Sequence, residues 1–340
     1  MVKYLYILFL FGICSCVPSS VDEVIVENNV ISCEVNEVPV EELLFVDKIA
    51  AFDSSLVSIN RKSDRIFYVY NRADFSYQGS FGSLGQGPND FLFPFFLNHN
   101  EEMAGCFTVY DVNTASFKKL EYESLMKGNQ NAMSSVRMPS PLIGSPNLTQ
   151  LTDGSFWGNI DSGQGLFFIY KEDTKELKWI DFPENLLQPK GDFTVMNMNR
   201  ISVNENQGKV VSAMGYYNLL FLYDIEGNLS KKVQLGNDPI RPTIIGEHHI
   251  SGDNLICCRD IESTNEAIYV LMQNVKEKNF ENMDNPPSRI IVLDWDLNYL
   301  KTYQLPFYSM EFFVDEEYHR IIFTKLNEEG GTDICYIETK

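Results

Sequence analysis

Short runs of β-branched and aromatic residues, interrupted every few positions by polar turn residues, follow one another along most of the chain. Runs of this kind, bounded by Gly, Asn, Asp and Ser, predict β-strands. Asp153-Gly154 and Gly252-Asp253-Asn254 are typical of hairpin turns. Glu121–Lys127 is the best candidate for a short helix, and the pattern predicts no long amphipathic helix. The chain is therefore predicted to be all-β.

A hairpin pattern recurs along the chain. Phe221–Leu235 aligns without a gap with Ile291–Leu305, and Asp224 coincides with Asp294. Each copy contains a strand, a polar turn and a second strand, and recurrence at roughly 50–60 residues indicates a radial array of such units. At about 50 residues per four-stranded blade, the length predicts a six-bladed β-propeller. The predicted blades lie near residues 43–81, 93–139, 147–182, 199–235, 243–305 and 310–338.

The predicted sixth blade has only three strand candidates of its own. We expect its fourth strand to come from the N-terminal leader within residues 22–40, because this pairing closes the ring and leaves no sheet edge bare. The predicted organisation is a signal peptide over residues 1–15, a lipid tether and leader over 16–31, and the propeller over 32–340.

The first residues have the pattern of a targeting segment. Tyr4–Ile13 is a ten-residue apolar run after a basic start. Because a membrane-spanning helix needs roughly 20 apolar residues, this run is interpreted as the apolar part of a signal peptide. Ile13-Cys14-Ser15-Cys16 resembles the lipobox of bacterial lipoproteins, which implies cleavage before Cys16 and a diacylglycerol on its thiol. The alternative is an ordinary secretory signal with incidental cysteines.

A glycine-rich segment follows the first predicted blade. Gly82–Phe91 resembles the Gly-x-Gly-Pro-Gly-Glu-aromatic segment of TolB-like, six-bladed propeller lipoproteins of Gram-negative bacteria, with Asn89-Asp90-Phe91 in place of Gly-Glu-aromatic. The resemblance implies a six-bladed propeller, a lipid anchor and a location in the cell envelope, at the outer membrane. It implies no catalytic residues. Related propellers bind proteins, whereas lactonase propellers are enzymes, so the fold leaves the function open.

The charge of the chain narrows the classes of partner. It has 47 Asp and Glu residues against 27 Lys and Arg residues, a formal net charge of −20. This balance argues against a nucleic-acid partner, whose phosphates need Lys and Arg, and against adsorption to anionic lipid. We therefore expect contact with a membrane through the lipid anchor only.

No catalytic or metal-binding constellation is recognisable in the sequence. The glycines of Gly82–Phe91 lack the Lys and Ser/Thr of a phosphate-binding loop. Five cysteines follow Cys16 without CxxC spacing, which predicts free thiols rather than disulfides or zinc ligands. We predict no cofactor, and a calcium ion held by carboxylates in the central channel stays an open alternative.

Loop lengths indicate one face of the propeller as the binding face. In a blade with strands a to d, the b–c and d–a connections emerge on one face and the a–b and c–d connections on the other. The long connections Gly82–Phe91, Glu184–Val195 and Asn274–Ser288 all fall on the first face, beside the aromatic loop Tyr216–Asn218. Long loops on a rigid scaffold commonly carry function. The candidate binding residues on this face are Gly82, Gln86, Asn89, Asp90, Tyr216, Tyr217 and Asn218.

Together these patterns favour a non-enzymatic, lipid-anchored cell-envelope protein that recognises a protein, peptide or glycan through one propeller face. The alternative is a metal-dependent hydrolase of the propeller-lactonase type, with a carboxylate site in the central channel. A glycan or peptide sensor is a third hypothesis. The side chains that line the channel distinguish the first two, because a hydrolase of this type needs several converging carboxylates or amides there.

Overall fold

Six sheets, each built on antiparallel blade strands, surround a central channel, as the hairpin repeat predicts. This computed structural model describes residues 21–38, 40, 44–97, 105–160, 164–183, 186, 197–245, 249–280, 282 and 284–339. The predicted signal peptide and Cys16 lie outside the described residues, and so does most of the predicted Glu184–Val195 connection. The statements below concern the described residues.

The leader contributes three short strands, and each blade then uses successive strands of the chain, from the innermost to the outermost. The leader strands are β1 (Glu23–Ile25), β2 (Val30–Ser32) and β3 (Asn36–Glu37). The first three blades consist of β4 (Lys48–Phe52), β5 (Ser55–Ile59), β6 (Phe67–Asn71) and β7 (Tyr77–Phe81); β8 (Pro94–Phe96), β9 (Cys106–Asp111), β10 (Ser116–Glu121) and β11 (Met133–Arg137); and β12 (Asn147–Gln150), β13 (Phe156–Asn159), β14 (Phe167–Lys171) and β15 (Glu176–Ile180).

The second half of the ring follows the same plan, with one small hairpin between its first two blades. The elements are β16 (Asn199–Asn204), β17 (Lys209–Met214), β18 (Leu219–Asp224) and β19 (Leu229–Leu235); the hairpin β20 (Ile244–Ile245) and β21 (His249–Ile250); β22 (Leu255–Ser263), β23 (Ala267–Lys276), β24 (Arg289–Asp294) and β25 (Tyr299–Gln304); and β26 (Ser309–Asp315), β27 (Arg320–Leu326) and β28 (Thr332–Glu338). The fifth blade was predicted to begin near residue 243. That boundary is wrong, because β20 and β21 pair only with each other.

Helix is scarce in the described part of the chain. The one α-helix there, α1 (Tyr122–Met126), lies within the predicted segment Glu121–Lys127. Four single-turn 3₁₀ segments complete the helical structure: Gln130–Ala132, Ser140–Leu142, Glu205–Gln207 and Glu277–Asn279. Among these residues no helix combines the length and the apolar character needed to cross a membrane.

The leader closes the ring and also crosses two further blades. β3 pairs antiparallel with β28, which confirms the predicted fourth strand of the sixth blade. β1 pairs in parallel with β19, and β2 pairs in parallel with β25. These two pairings were not predicted, since a three-residue strand at a sheet edge has no pattern of its own. The leader therefore covers the outer edges of three successive blades.

Six hydrophobic clusters hold the ring together, and each lies between two neighbouring blades. Between the first and second blades, for example, the rings of Phe67 and Phe91 meet edge-to-face with centroids 5.0 Å apart. The wedge-shaped gaps between twisted sheets need large side chains, which explains the high aromatic content. Full burial of one such side chain contributes about 1.5–3 kcal/mol, so the channel is surrounded by a rigid scaffold.

Candidate functional site

A cavity of about 670 Å³ opens at one end of the channel. The innermost strands of all six blades form its wall, and residues of b–c connections such as Arg61 and Asn327 border it. The cavity therefore opens on the face with the b–c and d–a connections, here called the mouth face; the opposite face is the turn face. Among the described residues ten charged side chains line this cavity: Lys48, Arg61, Lys62, Arg200, Arg259, Asp47, Asp260, Glu262, Glu311 and Glu328.

Three carboxylates converge on one ammonium group in the wall of the cavity. Lys48 Nζ lies 2.7 Å from Asp260 Oδ2 and 2.8 Å from Glu262 Oε1. The third carboxylate, Glu311 Oε1, lies 2.6 Å from the same nitrogen. Lys48 comes from the first blade, whereas the carboxylates come from the fifth and sixth blades. This group, called the lysine cluster, links the two ends of the ring.

The lysine cluster shares its protons unequally. Burial, together with the negative charge of Asp260, raises the pKa of Glu311 to about 8. Burial opposes ionisation of Asp260, but the charge of Lys48 and a hydrogen bond from Glu311 outweigh it and lower the pKa of Asp260. Burial also raises the pKa of Glu262. Despite its own burial, Lys48 has a raised pKa because of the three carboxylates. Of this neighbouring pair, Glu311 therefore holds its proton more strongly than Asp260 does.

Irregular strand pairing accompanies the charged side chains at the channel. In β22 the register with β23 shifts on both sides of Cys258, and Arg259 is the extra residue between Cys258 and Asp260. In β26 a register shift spans Glu311. A bulge turns a side chain out of the alternation of a regular strand. The bulges thus bring charges to the channel from strands whose other residues pack in the core.

Two arginines form a second feature of the cavity, called the arginine pair. Arg259 Nε donates to the Met310 carbonyl oxygen at 3.2 Å, and its guanidinium lies 4.6 Å from the centre of the Phe280 ring. Arg200 Nη1 donates to the Asn199 carbonyl oxygen at 3.2 Å. Burial and the charge of Arg200 lower the pKa of Arg259. No ion pair joins either guanidinium to a carboxylate in the described part of the chain.

The lysine cluster does not fit a metal ion as it stands. A calcium ion needs six to eight oxygen ligands at about 2.3–2.6 Å. Here the point of convergence of the three carboxylates holds the Lys48 ammonium group, and burial raises the pKa of Glu311. Over the described residues no set of three or more His, Cys, Asp or Glu side chains is arranged for a metal. The converging carboxylates are present, but a lysine ammonium group occupies the position that a metal would take.

The family assignment follows from the whole chain rather than from the cavity. The family model described as TolB-like 6-blade propeller-like matches residues 43–317. The chain belongs to this TolB-like propeller family. The match extends from the residues just before β4 to the sixth blade, so it includes the strands that supply the lysine cluster and the arginine pair.

Solved structures of low sequence identity share the TolB-like propeller architecture. A member of the DUF4221 family from Bacteroides vulgatus gives a TM-score of 0.64 at 11% identity, covering 90% of this chain and 96% of its own. A luciferin-regenerating enzyme gives a TM-score of 0.51 at 12% identity, with coverages of 90% and 95%. A gluconolactonase from Xanthomonas campestris gives 0.51 at 9% identity, with 91% and 90%. These identities show the fold alone. No curated protein sequence matches the chain.

The predicted glycine-rich loop of this TolB-like propeller lies on the mouth face but does not line the cavity. Asp90 Oδ2 accepts a hydrogen bond from the Gly87 backbone N–H at 2.9 Å. A Cβ atom on Gly85 would lie 2.4 Å from the same oxygen, so the glycine there lets the backbone close around Asp90. Gly82, at φ +78°, packs against Phe91. Gln86 is exposed and Asn89 is half-buried.

The aromatic loop Tyr216–Asn218 was predicted to present side chains on the binding face, and this prediction is wrong. Tyr216, Tyr217 and Asn218 are 3%, 0% and 2% exposed. The two tyrosines belong to the cluster between the third and fourth blades. Asn218 Nδ2 donates to the carbonyl oxygens of Leu235 and Asp238 at 2.6 and 2.9 Å. The loop is short, so its large side chains fold into the gap between the blades.

The lysine cluster and the arginine pair were not among the residues predicted from the sequence. The sequence does mark three of these residues as charges within apolar strands. Arg259-Asp260 interrupts an apolar strand, and Glu311 precedes Phe312 and Phe313. Charged residues are seldom buried unless they are paired or functional. Their partners lie on other blades, so the signal marks single residues and does not identify the group that they form.

Proposed function

We propose that this TolB-like propeller is a lipid-anchored cell-envelope binding protein that takes a small ligand, or the end of a peptide or glycan, into the cavity on the mouth face. The observation that carries the proposal is the cavity itself. Its volume of about 670 Å³ falls in the range of about 300–1,000 Å³ typical of small-molecule sites. Its lining combines aromatic and apolar side chains with charged groups, the usual composition of such a site.

The lysine cluster favours binding over metal-dependent hydrolysis. In the hydrolase alternative the channel carboxylates hold a divalent cation that polarises the substrate. In this chain the Lys48 ammonium group already occupies the point on which the three carboxylates converge. We therefore propose that the ligand binds without a metal cofactor and leaves the site unchanged.

The position of the leader supports the proposed anchor. Val21 is five residues after Cys16, and β1 pairs with β19 at the outer edge of the fourth blade. Five extended residues reach at most about 18 Å, so a lipid on Cys16 holds this edge close to the membrane. Cys16→Ser is expected to abolish lipid labelling and release the protein into the soluble fraction. Lipid labelling that survives the substitution refutes the anchor.

A tryptophan placed in the cavity tests the binding site. Ala50 in β4 lines the cavity, whereas Ala73 lies exposed in the c–d turn of the same blade, on the turn face. We expect Ala50→Trp to weaken binding at least tenfold for every ligand found, because the indole fills the cavity. Ala73→Trp, the matched control, is expected to bind like the wild type.

The measurement is calorimetric titration with neutral and acidic di- and trisaccharides and with tripeptides. Unfolding midpoints of both variants check that the propeller is intact. Ligands that bind Ala50→Trp as tightly as the wild type place the site elsewhere and overturn the proposal.

A further inference from the structure

The charges that line the cavity differ from those of the whole chain. The chain carries 47 acidic residues against 27 basic ones, whereas the cavity has five of each sign among the described residues. Arg61 Nη1 lies 3.4 Å from Asp47 Oδ1, and the Arg61 guanidinium also lies over the ring of Phe93. Lys48 is neutralised within the lysine cluster. Arg200 and Arg259 are two neighbouring cations of this cavity that form no ion pair with a described carboxylate, although the carboxyls of Asp260 and Glu311 lie close enough to act on the charge of Arg259.

Each member of the arginine pair is held in place by a fraction of its donors. A guanidinium group has five N–H donors. Arg259 uses Nε toward the Met310 carbonyl oxygen, and Arg200 uses Nη1 toward Asn199 and Asn147. In the part of the chain that is described, no further hydrogen bond of either side chain is found, and none of their free nitrogens is a buried orphan. Unused donors of both residues are thus accessible in a cavity whose walls fix their position.

An arginine with a structural role is bound differently in this same molecule. Arg320 Nη2 lies 3.0 Å from Asp315 Oδ2, and Arg72 Nη2 lies 2.6 Å from Asp315 Oδ1. The arginine pair has no such ion-pair partner among the described residues, and burial together with the charge of Arg200 lowers the pKa of Arg259, although the nearby carboxyls of Glu311 and Asp260 partly offset this. An arrangement of this kind is unfavourable in the empty protein and becomes favourable when an anion lies between the two groups.

We infer that the arginine pair binds an anionic group of the ligand, a carboxylate, phosphate or sulfate, while the Phe280 ring and the apolar wall contact its uncharged part. This inference rests on the proposed function and specifies its ligand class. Arginine forms bidentate hydrogen bonds with planar or tetrahedral oxyanions. The lysine cluster lies beside the arginine pair, because Arg259 precedes Asp260 and donates to the carbonyl oxygen of Met310, next to Glu311. Its carboxyl groups disfavour a second anionic group there.

The test uses four probes of one ring size: glucuronate, glucose 6-phosphate, glucose 6-sulfate and neutral glucose. Their affinities are measured by calorimetric titration at constant ionic strength on the wild type, Arg200→Gln, Arg259→Gln and the double variant. At least one anionic probe is expected to bind the wild type more tightly than glucose does. Because hydrogen bonds to charged groups are strong, each single substitution is expected to weaken that probe about tenfold or more.

Matched variants separate charge, geometry and folding. Arg137→Gln changes an exposed arginine on β11 and is expected to leave all affinities unchanged. Arg259→Lys keeps the charge without the planar fork, so an intermediate loss is expected. Unfolding midpoints in chloride buffer identify any variant that folds poorly, and Arg200→Gln, at the start of β16, then carries the test alone.

Two results overturn the inference. One is that none of the three anions binds the wild type better than glucose, and the other is that the double variant keeps the wild-type affinity for them. The Ala50→Trp variant distinguishes this failure from failure of the proposed function. If Ala50→Trp blocks binding but the arginine variants do not, ligand binding in the cavity is supported and anion binding by the arginine pair is refuted. If Ala50→Trp has no effect on binding, the proposed function is refuted, whatever the arginine variants show.

Discussion

On the turn face of the propeller, the carboxylates of Asp294 and Asp315 have hydrogen-bond or ion-pair partners for both oxygens. On the mouth face, the numbers of positive and negative groups in contact do not match. Asp294 Oδ1 accepts from the Asn298 backbone N–H at 2.8 Å, and Asp294 Oδ2 accepts from Asn298 Nδ2 at 2.9 Å. Asp315, fully buried, lies between Arg72 and Arg320. At the mouth, three carboxylates share one ammonium group, and within the described residues Arg200 and Arg259 form no ion pair with a carboxylate.

This difference in pairing distinguishes polar groups that stabilise the ring from polar groups that are available to bind a ligand. Polar groups that satisfy each other contribute to folding and leave nothing for a partner. Groups that are unsatisfied in a cavity cost stability and are typical of binding sites. We therefore expect substitutions on the turn face to change the free energy of unfolding without changing ligand affinity. Substitutions at the mouth face are expected to affect affinity and pH dependence.

The largest effect is expected from Asp315→Ala. Asp315 is the shared anion between the sixth and first blades, and Arg320 beside it has a side chain that is 6% exposed. Removing Asp315 leaves the buried guanidinium of Arg320 without an anionic partner among the described residues, which lowers the free energy of unfolding by about 3–5 kcal/mol. Urea unfolding measures the change.

The matched control for Asp315→Ala is Glu317→Gln. Glu317 contacts the same Arg72, but its side chain is 62% exposed. An exposed pair of this kind contributes at most about 1 kcal/mol. Equal losses in the two variants would contradict the importance assigned to the buried carboxylate. Binding of the anionic sugars by the folded protein is expected to be unchanged in both.

Lys48→Met tests the mouth face with a smaller expected loss. The substitution leaves Asp260, Glu262 and Glu311 without their cation. Because the Lys48 side chain is 27% exposed, we expect a loss of about 2–3 kcal/mol, below the usual cost of breaking a buried ion pair. The loss is expected to be larger at pH 8 than at pH 5, since low pH protonates the carboxylates.

Calcium provides the contrast for Lys48→Met. The three oxygens lie 2.6–2.8 Å from Nζ, close to calcium–oxygen distances. We expect millimolar CaCl₂ to raise the unfolding midpoint of Lys48→Met and to leave that of the wild type unchanged. A similar rise in the wild type would show that its channel binds the metal, and would favour the hydrolase alternative.

The pH dependence of stability gives a third test. The pKa of Glu311 rises from 4.5 to about 8 on folding because of burial and the charge of Asp260. Between these values the native protein keeps a proton that the unfolded chain has lost, so this group makes stability fall as pH rises through the window.

Glu311→Gln removes this titration and keeps the shape. Relative to the wild type we expect Glu311→Gln to gain stability as the pH rises from 5 to 8.5, measured by urea unfolding at both values. Parallel pH profiles of the two proteins would show that Glu311 is ionised in the native state. Gln in place of Glu262 is the control within the cluster, and a smaller change is expected from it.

The architecture was largely predictable because its signals are local. Phe221–Leu235 aligns with Ile291–Leu305 because each contains a turn whose hydrogen bonds form between residues of that same turn. The deficit of one strand in the sixth blade required a strand from the leader, and β3 supplies it. The parallel pairings of β1 and β2 were not predictable in the same way, since three-residue edge strands leave no pattern.

The candidate site was predictable only as a face. The cavity opens on the face with the b–c and d–a connections, but its key groups come from inner strands whose partners lie more than 200 residues away, as for Lys48 and Asp260. Loop chemistry drew attention to Tyr216 and Tyr217, which are core residues. The amino-acid composition of a loop does not show whether an aromatic side chain points into solvent or into the gap between neighbouring blades. A charge inside an apolar strand is the more informative signal here.

The smallest expected effect concerns the two repeated turns, which serve as matched copies of one motif. Asn228 Nδ2 donates to Asp224 Oδ2 at 2.7 Å, and Asn298 Nδ2 donates to Asp294 Oδ2 at 2.9 Å. Each asparagine is exposed, so Asn228→Ala and Asn298→Ala are each expected to cost about 0.5–1 kcal/mol. Partial burial tends to raise the pKa of Asp224 and Asp294, but these hydrogen bonds outweigh it and lower the pKa of both. The stability that the hydrogen bonds give is therefore present at neutral pH and lost as pH falls through the range in which aspartate titrates. The variants should therefore differ from the wild type less at pH 3 than at pH 7 in urea unfolding, and their affinities for the anionic sugars should be unchanged. A loss of ligand binding in either variant would break the division between the two faces, because the turns have no contact with the cavity.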